Sequence, residues 1–334
     1  MTRVATRTGR PWRRIALAGV SILAGLAGLA FLVVADRQPP PPKLPDPNAY
    51  DIFVRAGKGL VGRAPDPDKA DAVALRAFVG PNRAALALAV PALGGQGRVP
   101  LGLSREQFDA SIADLGAIRQ LGRLLAAEGL LAELEGRPGE AMWAYLNAAR
   151  LGPLSARGGF MIHELAGFAI QMKGFEGLER VRAQLDAREC RGLVANLESI
   201  DAAMDSPASV IARERAWFRA TADLPMRVAF ALNAATLEKQ VKPAYRAYET
   251  ASRRNALRLR QLLALTAVRA YYLEVGADPP GLKALVPRYL AAVPLDPDDG
   301  RPLVYRDEPG EGIRVGDAPD DSADGTGTTA PAPG

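Results

Sequence analysis

The chain has one cysteine and one histidine in 334 residues, and each scarcity excludes a class of site. A single thiol, Cys190, cannot close an internal disulfide, and its helix-like surroundings predict a buried, apolar role. With His163 as the only imidazole, the zinc motif H-E-x-x-H is incomplete, because Gly167 stands at its last position. We therefore expect His163 to be a structural residue.

Other signatures of catalysis are missing as well. Residues 57–62 match G-x-G-x-x-G, but Pro65 and Pro67 follow at once, where a dinucleotide-binding fold needs a helix. No P-loop, nucleophile elbow or paired-carboxylate motif is visible. The sequence predicts no catalytic residue and no cofactor, so we expect a protein that is not an enzyme. An enzyme with an unrecognised carboxylate site stays open as an alternative.

One run of the chain carries no charge: residues 15–35 read IALAGVSILAGLAGLAFLVVA. At about 1.5 Å per residue such a helix is roughly 31 Å long, which matches the hydrocarbon core of a bilayer. We interpret it as a transmembrane helix. A signal peptide cleaved after Ala35 stays open, because Val33-Val34-Ala35 is a suitable small-residue site. No second run of 18 apolar residues follows, so the sequence predicts a single span.

Positive charge is concentrated in front of this run. Residues 1–14 hold five arginines and no acidic residue, whereas the remaining 37 basic residues equal the 37 acidic ones in number. The positive-inside rule keeps such a basic tip in the cytoplasm and exports the rest. We therefore expect a single-pass protein of the cytoplasmic (inner) membrane with an extracytoplasmic body. That body is neutral overall, which argues against a nucleic-acid partner.

The exported part is divided by prolines and glycines. Residues 36–47 are a Pro-rich linker, which we expect to be extended. Residues 48–235 follow a helical pattern with breaks such as Gly80-Pro81 and Gly152-Pro153. Capping boxes are expected at Ser104–Gln107 and Asp186–Glu189. Residues 236–316 are interpreted as a long helix and a small antiparallel β element, and residues 317–334 as a disordered tail. The predicted fold class is mainly α.

One predicted helical hairpin, near residues 122–153, has a recognisable spacing. Small residues alternate with an aromatic residue and end in a proline: Gly129, Ala141, Tyr145, Ala148 and Pro153. The hairpin resembles a tetratricopeptide repeat, in which small residues let two helices approach, the aromatic fills the groove between them, and the proline closes the second helix. It departs from that pattern at Glu128 and Ala132, where larger side chains are usual. Residues 161–185 are a candidate for a second, divergent hairpin.

The C-terminal region has a different composition. A turn-rich stretch follows the long helix and contains Asp296, Pro297, Gly300, Pro302 and Tyr305. About the last hundred residues resemble the head of type II secretion major pseudopilins, which implies a turn, a small sheet and a calcium-holding loop. From the residues themselves we expect a structural turn. By the resemblance, a calcium site at Asp317, Asp320, Asp321 and Asp324 stays open beside a solvated acidic tail.

These observations favour a binding protein. The order of anchor, spacer and helices is similar to that of uncharacterised bacterial single-pass membrane-anchored helical proteins, a resemblance that implies no activity. We expect a membrane-tethered protein-interaction or scaffold protein, because helical hairpins offer concave surfaces to a protein partner. An accessory component of a secretion or pilus-like system is the alternative.

Overall fold

A computed structural model describes residues 43–102, 104–222, 225, 234–308 and 312–316. The prediction of a mainly α-helical fold is confirmed. The helices are α1 (Ala49–Lys58), α2 (Ala72–Val79), α3 (Arg83–Ala92), α4 (Arg105–Leu134), α5 (Pro138–Ala156), α6 (Met161–Val181), α7 (Ala187–Ala203), α8 (Pro207–Thr221) and α9 (Ala234–Val275). The predicted membrane helix at residues 15–35, its basic tip and most of the linker lie outside the described residues, as does the acidic tail.

Local capping sets several helix starts. Asp186 forms the predicted capping box: its Oδ1 accepts the N–H of Glu189 at 2.7 Å, and the Glu189 carboxylate accepts the N–H of Asp186 at 3.0 Å. At Ser104 only half of the predicted box forms: Ser104 Oγ accepts the N–H of Gln107 at 3.2 Å, and Gln107 Oε1 accepts from the Ser104 hydroxyl and not from the Ser104 N–H. Each contact to an N–H satisfies an amide that the first turn of a helix leaves without a partner. The local sequence therefore determines where these two helices begin.

Helices α5 and α6 are held in backbone contact by glycines. A Cβ built on Gly152 would lie 2.5 Å from the Gly167 carbonyl oxygen, and one on Gly167 would lie 2.7 Å from the Gly152 oxygen. Further along, a Cβ on Gly174 would lie 2.6 Å from the Tyr145 carbonyl oxygen. Only glycine allows so close an approach. We call this contact the glycine seam, and it fixes the two helices antiparallel to each other.

Two hydrophobic clusters are built on either side of the seam. The first joins α1, α2 and α3 to α4, and it also includes Ala148 and Leu151 of α5. The second joins α5, α6 and α7 to α9, and extends to Leu303 near the C-terminal end of the described chain. Residues 257–303 thus share a core with part of the segment before residue 236. Cys190 is buried in the second cluster, as predicted, and burial raises the pKa of its thiol to about 11.

One helical run, Ala72–Ala92, is long and apolar enough to cross a membrane by length and composition, in the part of the chain that the structure describes. The sequence analysis expected no such second run. It comprises α2, a 3₁₀ turn at Gly80–Asn82 and α3. Leu75, Phe78 and Leu86 are buried against α1 and α4 in the first cluster. Core helices pass the same test of length and composition, and the buried face of this run, with 39% of its apolar window buried, belongs to the core.

Two predictions about helix boundaries are wrong. Pro153 does not close the second helix of the hairpin, because α5 continues to Ala156 and the Pro153 carbonyl accepts the N–H of Arg157 at 2.9 Å. Pro153 lacks only its own amide, and the glycine seam beside it holds the last turn in place. The candidate second hairpin at residues 161–185 does not form either. Residues 161–181 are the single helix α6, which packs along α5, and a 3₁₀ turn at residues 182–184 follows it.

The stretch after α9 is held by a tight turn. Gly300 has φ of +74°, and its N–H donates to the Asp296 carbonyl at 2.9 Å. The Asp298 N–H donates to Asp296 Oδ1 at 2.6 Å, and Leu295 and Pro302 form an isolated antiparallel bridge.

After the turn, Leu303 lies in the second core cluster, and Tyr305 packs against that cluster. Strands β1 (Val304–Glu308) and β2 (Gly312–Gly316) then pair antiparallel, with Val304 opposite Gly316.

The glycine seam leads to a stability prediction. Gly167→Ala should lower the free energy of unfolding by about 2–3 kcal/mol, because the added methyl meets a backbone carbonyl that cannot move aside without separating α5 from α6. Gly192→Ala is the matched control in α7, where a Cβ would meet no heavy atom within 4 Å. It should raise stability by about 0.5–1 kcal/mol through helix propensity. Urea unfolding of the two variants would measure both effects, and equal effects would contradict the seam.

Candidate functional site

A groove opens between α4, α6 and the loop of residues 63–68. Its volume is about 660 Å³, within the usual range for a binding site. We call it the α4–α6 groove. It is lined by the loop itself and by Leu75, Arg123, Ala126, Ala127, Leu130, Tyr145, Lys173, Glu176 and Arg180. The groove therefore combines an apolar floor with a charged rim.

Helix α4 supplies one wall through a regular spacing. Arg123, Ala126, Ala127 and Leu130 stand at positions i, i+3, i+4 and i+7, which lie on one face of a helix. Leu130 is partly buried and packs against both core clusters. Small alanines in the middle of this stripe leave room that a larger side chain would fill. The groove is thus formed by small residues in the helix, with an arginine at one end.

Tyr145 lies at the floor of the groove and links three helices. Its ring is buried, and a Cβ on Gly129 of α4 would come within 2.6 Å of it. Its hydroxyl donates to Glu133 Oε2 of α4 at 2.7 Å and accepts from Arg180 Nη2 of α6 at 2.9 Å. Burial, and then the hydrogen bond to Glu133, raise the pKa of the Tyr145 phenol above its ordinary value. The phenol is therefore a neutral, fixed strut.

The rim of the groove carries charges of both signs, because Asp66, Asp68 and Glu176 line it together with Arg63, Arg123, Lys173 and Arg180. Lys173 pairs with Glu176 at 3.0 Å, and Arg180 pairs with Glu133 at 3.2 Å. Arg63 and Arg123 line the groove too, yet neither forms an ion pair within 4 Å in the described part of the chain. Two guanidinium groups are thus available to an acidic group that enters the groove.

The structure brings together part of the predicted repeat-like set. Gly129 and Tyr145 are in contact, and Ala141 and Ala148 are fully buried. Sequence reasoning missed three parts of the groove: the loop of residues 63–68, Arg123, and the α6 residues Lys173 and Arg180. The i, i+3, i+4, i+7 stripe in α4 was a signal that could have been found. The loop approaches only through tertiary packing, and no sequence pattern indicates it.

His163 lies outside the groove and is buried. Its Nδ1 accepts the N–H of Phe160 at 3.2 Å, so the proton of the neutral ring lies on Nε2. Nε2 is 3.1 Å from Ser111 Oγ, which itself donates to the Phe108 carbonyl at 2.7 Å. A nucleophilic serine needs to donate to the histidine, and here the hydrogen bond runs the other way. Burial lowers the pKa of His163 to about 4. The geometry is that of a structural histidine.

A cluster of charged groups surrounds the neighbouring Glu164. This carboxyl is 5% exposed, and burial, followed by the nearby charge of Asp205, raises its pKa to about 8. Arg213 and Arg157 act in the opposite direction. Arg213 donates to Asp205 at 2.8 Å and to the Gly159 carbonyl at 2.6 Å, so its charge is already shared. Among the carboxyl groups of the described residues, Glu164 has the pKa that is raised most, so we expect it to take up or release a proton near neutral pH.

Among the described residues no group of three or more His, Cys, Asp or Glu is placed to hold a metal ion. The alternative calcium residues, Asp317, Asp320, Asp321 and Asp324, lie outside those residues. Asp298 of the turn pairs with Arg253 of α9 at 2.7 Å, so its carboxylate serves to dock the turn on the long helix.

Glu164 should make stability depend on pH. Its folded pKa lies above the ordinary value of 4.5, so the folded chain keeps a proton that the unfolded chain has released. The contribution of Glu164 to the free energy of unfolding is therefore fully present below pH 4.5. It decreases as the pH rises from 4.5 and is lost once the pH has passed 8. Glu164→Gln should remove the part of this loss that occurs between pH 7 and pH 8.5, where His163 is neutral in the folded protein.

Thermal unfolding of wild type and variant across that interval would measure the difference. The wild-type midpoint should fall toward pH 8.5, and the Glu164→Gln midpoint should stay more nearly constant. Parallel curves would show that Glu164 ionises normally. Glu106→Gln is the control, because Glu106 is exposed in the first turn of α4.

A comparison of the chain with known proteins found no match: no family model, no curated protein and no solved structure is similar to it. The function is therefore inferred from the groove and from the sequence.

Proposed function

We propose that the chain is a membrane-tethered, extracytoplasmic protein-interaction or scaffold protein, and that the α4–α6 groove binds a segment of its partner. The observation that carries the proposal is a groove lined by leucine, tyrosine and arginine. Ala126 and Leu130 are partly exposed and supply apolar surface, and the buried Leu75 and Tyr145 supply a rigid floor. Arginine and tyrosine are enriched at protein interfaces.

The charges of the groove favour an acidic segment. Arg63 and Arg123 have no ion pair of their own among the described residues, whereas Lys173 and Arg180 are each paired. A carboxylate that meets either of these two guanidinium groups forms charge-assisted hydrogen bonds without breaking an existing pair. The alanines of α4 leave space beside Arg123 for an apolar side chain. We therefore expect a partner segment in which an acidic residue lies next to an apolar one.

Peptide selection tests the groove. A phage-displayed library of random peptides would be panned on the full-length chain, and fluorescence anisotropy would give the affinity of the enriched peptides. Enriched peptides should carry Asp or Glu beside apolar residues. Arg123→Glu should weaken their binding by about tenfold or more, because it replaces an attraction with a repulsion worth at least about 1.4 kcal/mol.

Arg254→Glu is the matched control. Arg254 is exposed on α9, does not line the groove, and forms no ion pair in the described chain. It reproduces the change in net charge without changing the groove. The proposal fails if no peptide is enriched, or if Arg123→Glu and Arg254→Glu weaken binding equally.

The location of the protein follows from residues 1–35 and has its own test. We expect the N-terminus to lie in the cytoplasm and the body outside it, because five arginines precede the apolar run and no acidic residue does. A reporter active only in the cytoplasm should work when it is fused before Arg3 and fail when it is fused after Pro47. Activity at both positions would contradict the topology. Mature protein that begins at Asp36 would show cleavage instead of a retained anchor.

A second candidate function rests on the C-terminal end. The order of α9, the turn at residues 296–300 and the strands β1 and β2 agrees with the order of elements in a pseudopilin head. This order favours an accessory component of a secretion or pilus-like system. Pull-down of the full-length chain with pseudopilin subunits would support this candidate, and loss of that interaction on Gly300→Val would connect it with the turn.

A further inference from the structure

A second cavity lies where the end of α6 meets α9. It has a volume of about 330 Å³ and is separate from the α4–α6 groove. Its walls are Ala183, Leu265, Val268 and the ring of Tyr272, with Arg182, Arg269 and Asp278 adding charge. The lining thus combines an apolar part, formed by Ala183, Leu265 and Val268, with a charged part.

Two arginines share this cavity without a carboxylate of their own. In the described part of the chain neither Arg182 nor Arg269 forms an ion pair within 4 Å. The nearest acidic influence on Arg182 is Glu179, and that carboxylate is already paired with Arg258. Two like charges side by side destabilise a fold unless something neutralises them.

The hydrogen-bond donors of the pair are incompletely used. Arg269 Nη2 donates to the Ala183 carbonyl at 2.9 Å, which fixes the guanidinium at the cavity wall. Its Nε is buried and has no acceptor among the described residues. Burial lowers the pKa of Arg182, Glu179 raises it, and the charge of Arg269 lowers it further. Arg269 Nη1 and the Arg182 guanidinium also form no hydrogen bond with the described residues, and a bound oxyanion would supply an acceptor for them.

We propose that this cavity binds a small carboxylic acid with an apolar body, its carboxylate between Arg182 and Arg269 and its apolar part against Leu265 and Val268. A planar carboxylate matches the forked donors of a guanidinium. The apolar wall selects against a bare inorganic anion, because burial of that wall contributes only when the ligand carries hydrocarbon.

Asp278 is an acidic residue in the same cavity, and its charge should oppose the binding of a carboxylate. It lines the same cavity and is exposed, so it places a negative charge near the incoming carboxylate. Solvent screens that charge only in part. Asp278→Asn should therefore tighten the binding of a carboxylate and leave the binding of a neutral analogue unchanged.

Calorimetry on the full-length chain tests the site with hexanoate, hexanamide and inorganic phosphate as probes. Hexanoate should bind 1:1, and hexanamide and phosphate should each bind about tenfold more weakly or not at all. Arg182→Gln should weaken hexanoate by about tenfold or more. Arg182 donates no side-chain hydrogen bond within the described fold, so its loss should leave the fold intact. Arg123→Glu in the α4–α6 groove should have no effect on hexanoate.

A thermal measurement separates a ligand site from a structural arginine. Arg182→Gln should raise the unfolding midpoint of the unliganded protein by about 2 °C, because it removes a desolvated charge that faces another. Arg188→Gln, an exposed change on α7, is the control and should alter neither quantity. The proposal is overturned if hexanoate and hexanamide bind equally, if phosphate equals hexanoate, or if Arg182→Gln lowers the midpoint and leaves the affinity unchanged.

Discussion

The close contact of α5 with α6 is the constraint on which the rest of the structure depends. Gly152 and Gly167 bring two backbones together where any side chain would collide with a carbonyl oxygen. So short a distance increases the dispersion contacts between α5 and α6 and prevents one helix from sliding along the other. It also decides how the remaining helices pack. One cluster forms on the side of α4 and the other on the side of α7 and α9, and α5 and α6 contribute residues to both.

The groove is a consequence of this constraint. Because α6 lies so close to α5, Tyr145 cannot point between them and fills the space between Gly129 of α4 and Gly177 of α6. Its hydroxyl then reaches Glu133 and Arg180 and ties the floor to both walls. A fixed aromatic floor costs little entropy when a ligand binds, since nothing has to be ordered first. Glycines thus act at two places: Gly152 and Gly167 hold α5 against α6, and Gly129 and Gly177 make room for the Tyr145 ring at the floor of the groove that we propose binds a partner.

The sequence predicted those features that local chemistry determines. The mainly helical fold follows from periodicity, the capping box at Asp186 from side-chain reach, and the buried Cys190 from its apolar neighbours. The course of the chain at Pro153 could not be predicted, because a break signal in the sequence competes with the glycine seam, and the seam forms only in the folded protein. Arg63 reaches the groove for a similar reason: its loop lines the groove beside α4, which is far from it in sequence. Local rules therefore describe the elements, and tertiary contacts decide where a site arises.

The sequence gives the total charge of the chain but not how the charges pair in the fold. After residue 14 basic and acidic residues are equal in number, yet four of those acids stand at 317–324, in the tail. Within the described fold, single carboxylates also serve several partners: Glu135 pairs with Arg76 and Arg137, and Glu274 with Arg191 and Arg288. Sharing of this kind leaves some carboxylates with two arginines while other arginines, such as Arg123 and Arg182, have none. A neutral total thus produces local positive sites, and anionic ligands respond to those sites because screening limits each charge to about 10 Å.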